Sequence, residues 1–230
     1  MPKITKIVEV ANDIEDEDDD LGFELDADDS DANDSDGDDD DDAAMSGDLD
    51  GLRAVARLAK LAGRIDWFAA VGRPLAPAEH ADAADYVAGL GFPDVQVGRV
   101  EDWRAAAAVA AETPDWGEDW WQAEEQMRKA LLDEALALNP EHDLMVALTH
   151  VSAMAKENAQ VRATAAAARQ GISNAVLVKA AADAAAQAAY QAALVLAADG
   201  EADHPFAVKF RLFEAGRLPL GITGSTFNLF

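Results

Sequence analysis

Four histidines, His80, His142, His150 and His204, are the side chains best suited to acid–base or metal chemistry near neutral pH. None stands in an HExxH string, and His142 and His150, eight residues apart, would lie about 80° out of face on a helix. A di-iron carboxylate bundle needs Glu-x-x-His pairs on two helices. Here that spacing occurs at Glu201 and His204, between Gly200 and Pro205, in a predicted loop. Each histidine is therefore read as a cap, surface or core residue, and His142 as part of a helix's first turn. Glu79, Asp82 and Asp85, three apart on one predicted helix, have the spacing of oxygen ligands, but at a helix start they are read as solvated charge. No GxSxG, GxGxxG or GxxxxGK[ST] string occurs, which removes support for nucleophile-elbow, dinucleotide and P-loop chemistry. The chain has no cysteine, hence no disulfide, thiolate metal site or cysteine nucleophile. No catalytic, cofactor-binding or metal-binding residue is assigned, and no cofactor is expected.

Aromatic residues supply the candidate contact surface. Four of the five tryptophans follow an aspartate, at Asp66-Trp67, Asp102-Trp103, Asp115-Trp116 and Asp119-Trp120. The strings GRIDWFAA and GRVEDWRAA hint at a duplicated helix start, with each Asp capping or charging the first turn and each Trp packing across it. Trp116, Trp120 and Trp121, with Phe227 and Leu229 at the far end of the chain, are the expected partner-binding residues, because tryptophan dominates many binding hot spots. The string ALALNPEH resembles the end of a tetratricopeptide repeat, with Ala135 and Leu132 at its small and large apolar positions. Arg128 and Trp116, however, stand where that repeat needs a small residue and a glycine, so the family is rejected for this stretch.

The charge is unevenly spread. Residues 1–50 carry 22 acids against Lys3 and Lys6, net −20, which leaves 23 acids and 16 bases, net −7, for residues 51–230. The run DADDSDANDSDGDDDDD, residues 26–42, has no aromatic or branched aliphatic side chain, so it cannot offset the roughly 1–2 kcal/mol per residue cost of ordering backbone. A disordered acidic tail is expected over residues 11–46. A calcium loop with Gly37 at its sixth position fits Asp34 and Asp36 but puts Ala32 first and Ala43 twelfth, which fails the ligand test. Ahead of the tail, KITKIVEV within residues 1–10 reads as a short strand or docking peptide; the N-terminus lacks the apolar run of a secretory signal and is read as uncleaved. The net charge argues against direct contact with nucleic-acid phosphates or anionic lipid. Ala175–Ala198, the most apolar stretch, carries Lys179, Asp183, Gln187 and Gln191, which argues against a membrane span.

The elements that must position these residues are mostly helices. Leu52, Val55, Leu58 and Leu61 predict a first helix capped by Asp48 or Asp50 and stopped by Gly63, followed by a short one near Asp66–Val71. Pro77 starts a third that ends at Gly89 or Gly91, GFPDVQVG is a loop, and a helix runs over about 101–112. The clearest helix follows Asp119, with Trp120, Ala123, Met127, Leu131, Ala135 and Leu138 on one face and the pairs Glu124–Arg128 and Glu125–Lys129 on the outside. Asn139-Pro140 ends it and caps the next, whose stripe is Leu144, Leu148, Val151, Ala155, Asn158 and Val161. An alanine-rich helix runs to Gly200, and Phe206, Phe210 and Phe213 mark another from Pro205 to Ala215. Leu218, Leu220 and Ile222, the turn Thr223-Gly224-Ser225, then Phe227 and Leu229 read as a hairpin, with KITKIVEV a candidate third strand.

The fold class is thus mainly α: a helical bundle over residues 47–230 ending in a helix and short β-hairpin (205–230), preceded by the acidic tail. The functional expectation is a cytoplasmic, non-enzymatic adaptor, inhibitor or assembly component that binds a protein partner of basic character through its apolar and aromatic helical surface. The alternative is an enzyme or small-ligand protein whose site is assembled from dispersed Asp, Glu, His and Trp.

Overall fold

The computed structural model describes residues 50–112 and 119–230, and the compact unit to which they belong begins at Gly47. The tail, KITKIVEV, Asp48, Asp115 and Trp116 lie outside the described residues. The fold is mainly helical with a short three-stranded sheet. In chain order it runs α1 (Asp50–Ala62), α2 (Pro77–Gly89), β1 (Gln96–Arg99), α3 (Trp103–Glu112), α4 (Asp119–Leu138), α5 (Glu141–Arg169), α6 (Ala175–Ala197), α7 (Pro205–Glu214), β2 (Pro219–Thr223) and β3 (Thr226–Leu229).

The long pair α5 and α6 forms the spine. Leu144, Leu148, Val151, Ala155, Ala159, Ala163 and Ala166 line the buried side of α5, and alanines cover several sides of α6, so backbones approach where larger side chains would hold them apart. The buried stripe of α5 precesses from Val151 through Ala155 and Ala159 rather than to Val161. A straight helix at 3.6 residues per turn carries residue 161 off the seam, and Val161 is 64% exposed. α1 packs its face of Val55, Leu58, Ala59 and Ala62 on the spine. Its opposite face carries Arg53, Arg57 and Lys60, all exposed.

Four local readings are corrected. Residues 67–72 form successive turns rather than a helix, with Phe68 at φ 62 and Gly72 at φ 75. The two related strings accordingly diverge: Asp102 caps α3 by accepting from the Ala105 amide at 2.7 Å, while Asp66 pairs with Arg162 at 3.0 Å. Asn139 does not cap α5, whose N-cap is Pro140. Its side chain donates to the Ala135 and Ala197 carbonyls, tying the last turn of α4 to that of α6. The loop GFPDVQVG contains β1.

β1 pairs parallel with β3, Gln96 opposite Thr226 through Arg99 opposite Leu229, and the predicted hairpin is the antiparallel pair β2–β3, giving the order β1-β3-β2. One sheet face supplies Ile222, Phe227 and Leu229 to a cluster with Ala83, Tyr86 and Val87 of α2 and Val208 and Leu212 of α7. The larger cluster holds Trp67 edge-on to Phe210 and Phe213, at 6.1 and 6.0 Å, and Trp103 edge-on to the final residue, Phe230, at 5.1 Å. No helix among the described residues is long and apolar enough to cross a membrane.

Candidate functional site

The most unusual chemistry lies inside the bundle. Glu124 of α4 is 2% exposed, on the stripe that also presents Met127, Leu131 and Ala135. Its Oε1 accepts from the Lys209 ammonium of α7 and from Gln191 Nε2 of α6 at 2.6 Å, while Oε2 accepts from the Tyr86 hydroxyl of α2 at 3.1 Å. Lys209 also donates to Gln191 Oε1 at 3.1 Å, and its ammonium lies 5.7 Å from the centre of the Tyr86 ring. Four helices thus meet at one carboxylate.

Burial alone would push the Glu124 carboxyl upward. The Lys209 charge and the three hydrogen bonds more than reverse this and hold it below the ordinary carboxylate range. Burial and the neighbouring carboxylate drive the Tyr86 phenol well above its ordinary value. Every polar atom of the quartet has a partner within it, so the arrangement acts as an internal cross-link: ionised, hydrogen-bonded, and closed to an incoming substrate.

A second buried cation sits at the start of the hairpin. Arg217, 2% exposed, donates to the carbonyls of Ala70, Arg73 and Pro74 and to Glu79 Oε2 at 2.7 Å. Burial raises the Glu79 carboxyl, but hydrogen bonds from Arg217 and the Ala76 amide, with the Arg217 charge, bring it below its ordinary value. Glu79 and Asp82 are therefore not solvated charge: Asp82 pairs with Arg211 at 2.9 Å. Asp85 is exposed.

The predicted partner-binding residues separate into two groups. Phe227 and Leu229 are buried, Phe227 at 5.5 Å from the Tyr86 ring, which takes them out of the accessible surface. Trp120 and Trp121 are half-buried and edge-on at 5.9 Å; Trp120 lies over Gly221 of the hairpin, and its indole N–H is buried without a partner. Trp116 lies outside the described residues.

On the surface, His142 and His150 come together across one helical turn each from Val146. With Asp143, Ala147 and Ala56 of α1 they line an open depression of about 340 Å³. Val146 is 56% and the adjacent Met145 44% exposed. His204 instead caps α7, its Nδ1 accepting from the Phe206 amide at 3.1 Å, and burial lowers its pKa below the ordinary imidazole value. His80 is exposed. Among the described residues no group of three His, Cys, Asp or Glu side chains is placed to hold a metal ion.

Comparisons with protein-family models, with curated proteins and with solved structures found no match.

The chemical reading therefore rests on the chain's own geometry. Sequence reasoning missed Glu124, Gln191, Lys209 and Arg217. The i,i+4 spacing of Glu124 and Arg128 points to an outward pair, but Arg128 bonds Glu125 instead. The signal was present: Glu124 falls four after Trp120 and seven before Leu131, inside the apolar stripe, and Lys209 falls between Phe206 and Phe213 in the same way.

Proposed function

We propose that this chain is a non-enzymatic accessory protein that binds a basic protein partner through the α1–α5 depression. The observation that carries the reading is an open, largely apolar concavity flanked by exposed Val146 and Met145, on a molecule of net charge −27. A partner presenting an apolar ridge with basic flanks would bury Val146 and Met145, and the acidic chain would speed encounter in a way that salt screens. Trp121 is the second candidate contact. A cysteine-free chain needs no oxidising compartment, and we place its action in the cytoplasm.

The test compares the full chain with V146E and, separately, W121A as baits for cross-linking in host extract. Loss of one basic protein with V146E at unchanged melting temperature supports the assignment. Retention with V146E but loss with W121A would move the surface to α4. A capture profile unaltered by either variant would refute both.

A further inference from the structure

Where the turns after Trp67 cross the end of α5, Phe68, Val71, Arg73, Ala166, Arg169 and Gln170 surround a depression of about 190 Å³. Its polar side chains are two guanidiniums and one amide, with no carboxylate, in a chain of 45 acids and 18 lysines and arginines. The acids flanking the turns in sequence are committed elsewhere, Asp66 to Arg162 at 3.0 Å and Glu79 to Arg217 at 2.7 Å, as is Glu101, whose backbone abuts Gly72 and whose carboxylate pairs with Arg99 at 2.7 Å. Among the described residues neither Arg73 nor Arg169 has an ion-pair partner. A cation at residue 169 suits the negative end of the α5 dipole, but that argument does not reach Arg73, which belongs to a turn.

The walls are held in place. Gln170 is oriented by accepting the Trp103 amide through Oε1 at 3.3 Å, leaving its Nε2 donor beside Gly72. Phe68 takes a left-handed backbone conformation, a cost of order 1 kcal/mol or more for a bulky residue. Its fully buried ring, edge-on to Trp103 and Phe213, holds it there and makes it the floor.

We propose that this depression is a binding site for a small oxyanion: a carboxylate or phosphate group gripped between Arg73 and Arg169, with the Gln170 amide as third donor and the half-buried Val71 against the apolar remainder of the molecule. Paired guanidiniums suit such groups because their fixed forks match two oxygens at once. The site is independent of the α1–α5 depression, and its failure would leave that assignment untouched.

The experiment is an amide chemical-shift titration of the isotope-labelled full chain with inorganic phosphate and, in a second series, with acetate, each at ionic strength matched by sodium chloride. Saturable shifts confined to residues 68–73 and 166–171 are expected with at least one anion, and the stronger ligand identifies the oxyanion class. R73Q and R169Q should each raise Kd at least about tenfold, since each removes a charge-assisted hydrogen bond. The double variant should lose saturation while its melting temperature is unchanged. Shifts that follow ionic strength whatever the anion, or that persist in the double variant, would overturn the proposal.

Discussion

Replacing Lys209 with Met keeps the aliphatic stem and deletes the charge that faces Glu124. The carboxylate would keep its bonds to Tyr86 and Gln191 but lose its counter-ion at 2% exposure. Leaving one member of a buried ion pair uncompensated costs about 3–5 kcal/mol, a large share of the roughly 5–15 kcal/mol of a typical domain. With a urea slope of about 2 kcal/mol per molar, the unfolding midpoint should fall by about 2 M. The pH dependence should also change sign. In the native chain the Glu124 carboxyl titrates below its unfolded value, so its stabilisation is complete above the ordinary carboxylate range and is lost as pH falls through the folded value. In K209M the attraction is gone and burial dominates, raising the folded value above the unfolded one. The variant then gains relative to wild type as pH falls, and the gap between the two should narrow as pH falls toward the ordinary carboxylate range. The double variant E124Q/K209M, in which the new amide's oxygen accepts from Gln191 and its NH2 donates to the Tyr86 hydroxyl, should recover to within about 2 kcal/mol of wild type. A K209M midpoint within about 0.5 M of wild type, with an unaltered acid limb, would refute the buried pair.

R217K should lower stability by about 2–4 kcal/mol by urea unfolding, because a single ammonium cannot reach three carbonyls and Glu79 together. G221A should cost about 1–3 kcal/mol and change tryptophan emission: φ is +100° and a Cβ would stand 2.9 Å from the Trp120 ring. His204 titrates below its ordinary value in the fold, so the stability it contributes above about pH 6.5 is lost as pH falls further; H204N, which keeps a cap acceptor, should flatten that limb of a thermal-melt series. The quadruple variant Y86F/E124L/Q191L/K209M should fold more stably than K209M but give broader amide resonances; dispersion equal to wild type would show that the quartet does not select the packing.

The helices were legible where apolar period and punctuation agreed. Pro77 and Pro205 open α2 and α7, Gly171 and Gly200 bracket α6, and Gly216 turns the chain at φ +80° out of α7. β1 was not legible because its apolar content is essentially Val97 and its ladder partner lies 130 residues away, so a local pattern carries no trace of it. The turns at 67–72 mimic a helix in composition, but Ala70 gives its amide to Gly216 and its carbonyl to Arg217, long-range bonds that replace helical ones. The polar quartet was masked by the strength of a surface rule. Glu followed four residues later by Arg normally marks an exposed face. Here the apolar stripe containing that Glu was the better guide, and Tyr86, Gln191 and Lys209 complete the cluster from three other helices.

That cluster bears on how an alanine-rich interior selects one arrangement. Alanines along α5 and α6 permit close approach, but a row of methyl groups offers neighbouring registers of similar energy, since each side chain fills the next hole nearly as well. A one-turn slip of α6 moves Gln191 about 5.4 Å along its axis, beyond any hydrogen bond to Glu124, while scarcely changing the apolar contact. The same slip would pull the Ala197 carbonyl from Asn139. A few buried polar groups thus penalise slipped packings by about 1–3 kcal/mol each, a discrimination the alanines cannot supply. With α2, α4, α6 and α7 bound at one carboxylate and the 70–74 turns held by Arg217, the turn wall that carries Val71 and Arg73 is fixed from inside.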